Sequence, residues 1–209
     1  MKLSFRLAET NQQIQNNILN ALLPEIRNYF NTAISKFKTQ VPTILQQAIF
    51  ASPEYNSLIS GKLKFEFGIP DAVNKINAII NIWINNIEYS YQQPIIQNQN
   101  IRAQFSAGLI RSDYSDVLGT DYANVIDVSG YSLPWLQWLL LDGRRIIVPN
   151  HQVILGPSKS SRTGFAIMRK SSNSWNVPAE FAGTSDDNWI TRAIDSAEPE
   201  IQQLLDRVL

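Results

Sequence analysis

Only one imidazole, His151, and no thiol are present for chemistry in this chain. A metal centre needs several His, Cys or carboxylate ligands converging, and a Ser-His-Asp triad would have to run through the same His151. No Ser stands in a G-x-S-x-G nucleophile elbow. The stretch Gly156-Pro157-Ser158-Lys159-Ser160 has the composition of a phosphate loop, but no Gly directly precedes Lys159, so the required G-x-x-x-x-G-K-[ST] spacing fails. Neighbouring carboxylates occur at Asp186-Asp187, where a helix start favours negative charge, and at Glu198 and Glu200 around Pro199. The residual hydrolytic option sets His151 against the acidic stretch from Asp113 to Asp127. The expectation is a non-enzyme with no catalytic residue, cofactor or metal.

Residues suited to contact stand out more clearly. Arg144, Arg145, Lys159, Arg162, Arg169 and Lys170 form a basic run, while Asp113, Asp116, Asp121 and Asp127 gather in an acidic one. Segregation of this kind can steer one surface onto another, including between identical subunits. Trp135 and Trp138 lie three apart among Leu136, Leu139, Leu140 and Leu141, more apolar than one helix face requires. The candidate interface is therefore Trp135, Trp138, Arg144, Arg145, Lys159, Arg162, Asp113, Asp116 and Asp121.

Elements must position these side chains. Thr10 with Gln13 reads as a capping box. Apolar residues then recur every three or four positions from Ile14 to Ala48, one stripe along a helix over 8–50 that must fold back or project, with a kink or break expected at Pro24 and Pro42. A strand is expected at Leu3 to Leu7. Lys62 to Phe67 alternates with period two, as a half-buried strand does, with a helical turn as the other reading. Pro70-Asp71 opens a helix whose shared face is Val73, Ile76, Ile80 and Ile84. Ile87 to Ile96 and Asn100 to Ile110 read as two antiparallel strands. Residues 111–132 read as an acidic loop, and Leu133 to Leu141 as a short helix capped by Ser132. Ile146 to Pro149 and Gln152 to Leu155 read as hairpin arms, Phe165 to Arg169 as a further strand, and Thr184 as the cap of a final helix kinked before Pro199. The fold class is α+β: a long kinked N-terminal helix and a C-terminal helix on a central antiparallel sheet, in one domain over 1–209.

At 209 residues and 44% hydrophobic the chain can bury one good core. Eighteen Lys plus Arg balance eighteen Asp plus Glu, so total charge favours neither nucleic acid nor a membrane surface. The opening stretch is interrupted by Arg6 and Glu9 and lacks the apolar centre of a signal peptide. Ile76 to Ile84 is too short to span a bilayer.

One segment carries a resemblance. Trp175-Asn176-Val177-Pro178-Ala179-Glu180-Phe181-Ala182-Gly183-Thr184, running into Asp187-Asn188-Trp189-Ile190-Thr191-Arg192-Ala193-Ile194, resembles the closing segment of neck and tail-completion proteins of tailed bacteriophages. There a loop ending in Gly-Thr leads to an aromatic-x-x-Arg-Ala helix. Ser60 to Leu63 is similar to that family's Thr-Gly-x-Leu, whereas residues 70–141 have no counterpart. The resemblance implies a virion protein made in the host cytoplasm, assembled as a ring homo-oligomer, a hexamer being expected. It would bind portal, adaptor or other neck proteins on one side and tail tube, terminator or sheath proteins on the other. Phage DNA would pass through without sequence-specific binding, and no membrane is involved. The alternatives are an assembly chaperone that leaves the particle and a hydrolase using His151.

Overall fold

The computed structural model describes residues 8–109 and 114–208; the strand expected at Leu3 to Leu7 and the side chain of Asp113 lie outside them. Thr10 caps the first helix as its sequence implies: its hydroxyl accepts from the Gln13 amide at 3.3 Å, and the Gln13 carboxamide accepts from the Thr10 amide at 2.8 Å. Helix α1 (Asn11–Ala51) then runs unbroken through Pro24 and Pro42. The break expected at each proline does not occur; around Pro42 the buried Val41, Ile44 and Leu45 hold the helix against its neighbours. Ser52 ends it and begins α2 (Pro53–Ile59): its hydroxyl donates to the Ile49 carbonyl at 2.6 Å and accepts from the Tyr55 amide at 3.2 Å.

Lys62–Phe67 forms α3, a helix where a strand was the first expectation. Alternation also brings Leu63 and Phe67, four apart, onto one buried side, and Gly68, in the left-handed conformation, ends the helix. Helix α4 (Ala72–Asn85) buries Ile76, Ile79, Ile80 and Trp83 and leaves Val73 exposed, so its inner face is rotated from the expected one.

The α+β class is as expected, with the antiparallel strands divided, among the described residues, into three two-stranded ladders. Strands β1 (Ile87–Gln97) and β2 (Asn100–Leu109) make the long one, with a register shift between Gln92 and Ile95 that accommodates Pro94. The acidic segment is more structured than a loop: it carries α5 (Ser115–Leu118), a 3-10 turn at Asp121–Ala123, and β3 (Val125–Ile126), which pairs with β4 (Ser132–Leu133). Ser132 thus belongs to a strand, and α6 (Trp135–Leu140) starts from Pro134. Strand β5 (His151–Leu155) pairs with β6 (Ala166–Lys170) across the 156–165 loop. Ile146 to Pro149 is not its hairpin arm: Asn150 turns the chain at φ 55°, and Val148 bridges to Trp175 instead. The last helix, α7 (Trp189–Val208), continues through Pro199.

Two apolar clusters hold these pieces. One gathers Leu58, Leu63, Phe67, Ile80, Trp135 and Trp189, and the other joins Phe37, Val41 and Ile44 of α1 to Ala197 and Leu204 of α7. Ile194 packs against both. Beyond the second cluster α1 and the β1–β2 hairpin project together as an arm. Phe37 meets Phe105 at 5.1 Å near its base, Arg27 donates to the Pro94 carbonyl at 3.0 Å, and Gln15 reaches the Gln99 carbonyl at 3.5 Å near its tip. Helix rise from Phe37 back to Gln15 is about 33 Å, and strand rise from Tyr89 to Gln99 is about the same. Matched lengths let the two elements end together.

Candidate functional site

The described surface has three notable regions: a cleft, a junction that carries the family-like segment, and the arm. The cleft lies between α3, the Asp127 turn, α6 and the β5–β6 hairpin, with a volume of about 520 Å³. Phe65, Phe67, Trp138, Trp175 and Met168 supply its apolar wall. Val128, 91% exposed, and Phe165 stand at or near its rim. Arg162 spans one edge, donating to the Gly68 carbonyl and the Phe67 carbonyl at 3.2 Å each and so capping α3. Burial pulls its pKa down, with the nearby Asp127 opposing. Gly68 is required there: its φ is +65°, and a Cβ would fall 2.6 Å from the Arg162 guanidinium. Glu66 accepts from the Trp175 indole at 3.3 Å, and burial pushes its pKa above the usual glutamate value despite Lys62.

The structure divides the candidate interface residues. Trp135 is 0% exposed and donates its indole N–H to the Tyr122 carbonyl at 3.0 Å, so it is core and is withdrawn from the interface. Trp138 is half-buried and packs on Phe67 and Trp175 along the cleft, where Arg162 also lies. Arg144, Arg145 and Lys159 are exposed. Asp121 is exposed, while Asp116 is engaged within the chain, accepting from the Asn86 side chain and from the Val117 amide. Asp127 likewise accepts from the amides of Ser129 and Tyr131, both at 2.8 Å.

His151 does not assemble a reactive group. Its Nδ1 sits 2.9 Å from the Pro149 carbonyl, which places the ring proton on that nitrogen, and its cross-strand neighbour is Lys170. Among the described residues no set of three or more His, Asp or Glu side chains is placed to hold a metal ion. No helix among them is long and apolar enough to cross a membrane.

The segment from Trp175 to Arg192 is the junction between distant parts of the chain. Trp175 exchanges backbone hydrogen bonds with Val148 at 2.8 and 3.1 Å. Gly183 is buried so tightly that a Cβ would meet Asn188 at 2.5 Å and the Leu139 carbonyl at 2.8 Å. Asn188, rather than the expected Thr184, caps α7: its side-chain oxygen accepts from the amides of Ile190 and Thr191, and the Thr191 hydroxyl accepts from the Asn188 amide. The same carboxamide donates to the Tyr114 hydroxyl and the Thr184 carbonyl, both at 2.8 Å. The Thr184 hydroxyl accepts instead from the Asp187 amide in the preceding turn. The Trp189 indole donates to Ser52 at 2.8 Å, and Arg192 pairs with buried Glu54 at 2.8 Å and with Asp187 at 2.8 Å. Burial alone would lower the Arg192 pKa, but its bonds to Glu54 and Asp187 hold it above the usual arginine value. These are roles in folding, and sequence reasoning missed Asn188 and Glu54 because their partners are remote in the chain.

On the arm, Ile18, Leu22 and Tyr29 are 54%, 48% and 53% exposed. Their spacing of four and seven puts them on one side of α1, and Ile95 of the hairpin is exposed as well. Compared with known proteins, the chain has no significant match among family models, curated proteins or solved structures.

Proposed function

We propose that this chain is a structural virion protein of a tailed phage, in the neck or tail-completion region, where copies form a ring that joins head to tail around the DNA channel. The observation that carries the reading is the arm. A helix and a hairpin project together beyond the apolar clusters and expose Ile18, Leu22 and Ile95. An element that reaches this far from its own core while keeping an apolar side suits contact with another subunit. The resemblance of Trp175 to Ile194 to phage neck proteins supports the same reading. Partners on the two faces of the ring would be portal or adaptor proteins and tail tube, terminator or sheath proteins.

Electron microscopy and native mass spectrometry of the purified protein test the assembly. The expected result is a closed ring, six copies being the expected number. A chain that remains monomeric at all accessible concentrations contradicts the proposal.

A further inference from the structure

The zero net charge of this chain conceals local imbalances of charge. From Asp142 to Lys170 the chain carries Arg144, Arg145, Lys159, Arg162, Arg169 and Lys170 against Asp142 alone. Arg169 and Lys170 stand at the open end of the β5–β6 hairpin, and Lys159 lies in its loop. Helix α7 has the opposite character. Asp195, Glu198 and Asp206, with Gln202 between them, follow a spacing of three, four and four. That spacing lays them along the side of the helix facing away from buried Ala193, Ala197 and Leu204.

Arg162 caps α3 beside Asp127, but the other basic side chains of this stretch and the α7 carboxylates Asp195, Glu198 and Asp206 form no ion pair within the described residues. Among the described residues, ion pairs involve only Lys62, Glu66, Glu180, Arg192, Glu54 and Asp187. Asp116 and Asp127 around α5 are engaged in local hydrogen bonds, as Asp206 of α7 is with Gln202, which leaves Asp195 and Glu198 as the acidic residues offered to the hairpin. The hairpin also exposes Leu155, Phe165 and Met168.

We infer that neighbouring copies meet head to tail, with the basic β5–β6 hairpin of one lying against the acidic outer side of α7 in the next. The inference rests on the ring reading above and names its contact. Two different patches on one chain form a heterologous interface, which repeats around a ring until it closes. Opposite charges set the register and speed the encounter, and their attraction weakens with salt.

Charge reversal tests it. One variant carries Arg169→Glu with Lys170→Glu, a second carries Asp195→Lys with Glu198→Lys, and a third carries all four changes. Association is measured by analytical ultracentrifugation at low and high salt, with circular-dichroism melts to establish folding. Each two-residue variant is expected to associate at least about tenfold more weakly than wild type, the four-residue variant to regain association, and wild type to weaken as salt rises. Because the salt response is read on the unaltered protein, it stands even where a variant fails to fold. Wild-type rings that ignore salt and survive both reversals overturn this contact while leaving the ring reading intact. A wild type that never associates overturns both. A reversed hairpin that leaves the ring unchanged and loses binding to duplex DNA overturns the contact and assigns the hairpin to nucleic acid.

Discussion

Asn188 and Arg192 show how single side chains close this fold. Replacing Arg192 with Met leaves Glu54 buried without a counter-charge. The expected cost is about 3 kcal/mol, the lower end of the range for breaking a buried pair, because the Arg192 side chain is 34% exposed. Urea unfolding of the variant measures it. Glu66 gives a pH signature. Its folded pKa is raised above the unfolded value, near 4.5, so its contribution to stability is present below that pH and is lost as pH rises through the folded value. Glu66→Gln keeps an acceptor for Trp175 and removes the buried charge. Its melting temperature should therefore gain on wild type from about pH 4.5 toward neutrality; thermal melts across that range check it, and a constant difference would contradict the assignment. Little of this was legible in the sequence. The segment from Trp175 to Arg192 stood out, but Asn188 bonds to Tyr114 across 74 positions and Arg192 to Glu54 across 138, separations that no local pattern encodes.

Elements with a strong local signal were readable. The capping box and apolar stripe of α1, the amphipathic α4 and the β1–β2 pair all follow from spacing and residue type. The failures share a physical origin: partners supplied from elsewhere. Period two at Lys62 to Phe67 serves a strand or a short helix equally, and Gly68 with Arg162 decides for the helix. At 151–155 the partner strand was one connection further on than adjacency suggested. Pro42 stayed inside α1 where buried Val41, Ile44 and Leu45 pack around it. One element leaves room for improvement. The β1–β2 turn puts Asn98 at φ 50° and Gln99 at φ 57°, a left-handed pair in which Gln is a strained choice. Gln99→Gly is expected to stabilise the protein by up to about 1 kcal/mol, read as a higher urea midpoint with unchanged slope.

At the scale of the molecule, the arm and an uneven distribution of charge along the chain are the features that a single compact core does not account for. Fold class was accessible from the order of helices and strands, whereas the arm needed the packing of a hairpin 87–109 against a helix far upstream. If Ile18 and Leu22 face another subunit, Ile18→Asn with Leu22→Asn should lower assembly at least about tenfold while the melting temperature changes little, because both side chains are already exposed in the single chain. Sedimentation and thermal melts read the two effects separately. A loss of folding stability matching the loss of assembly would mean that the stripe serves the single chain instead. The most direct test of the central claim is quantitative mass spectrometry of purified mature particles of the tailed phage that the proposal implies. The account predicts the protein in the virion at ring stoichiometry, about six copies for each portal. Its absence from mature particles would contradict the account, and its presence only on assembly intermediates would make it a chaperone.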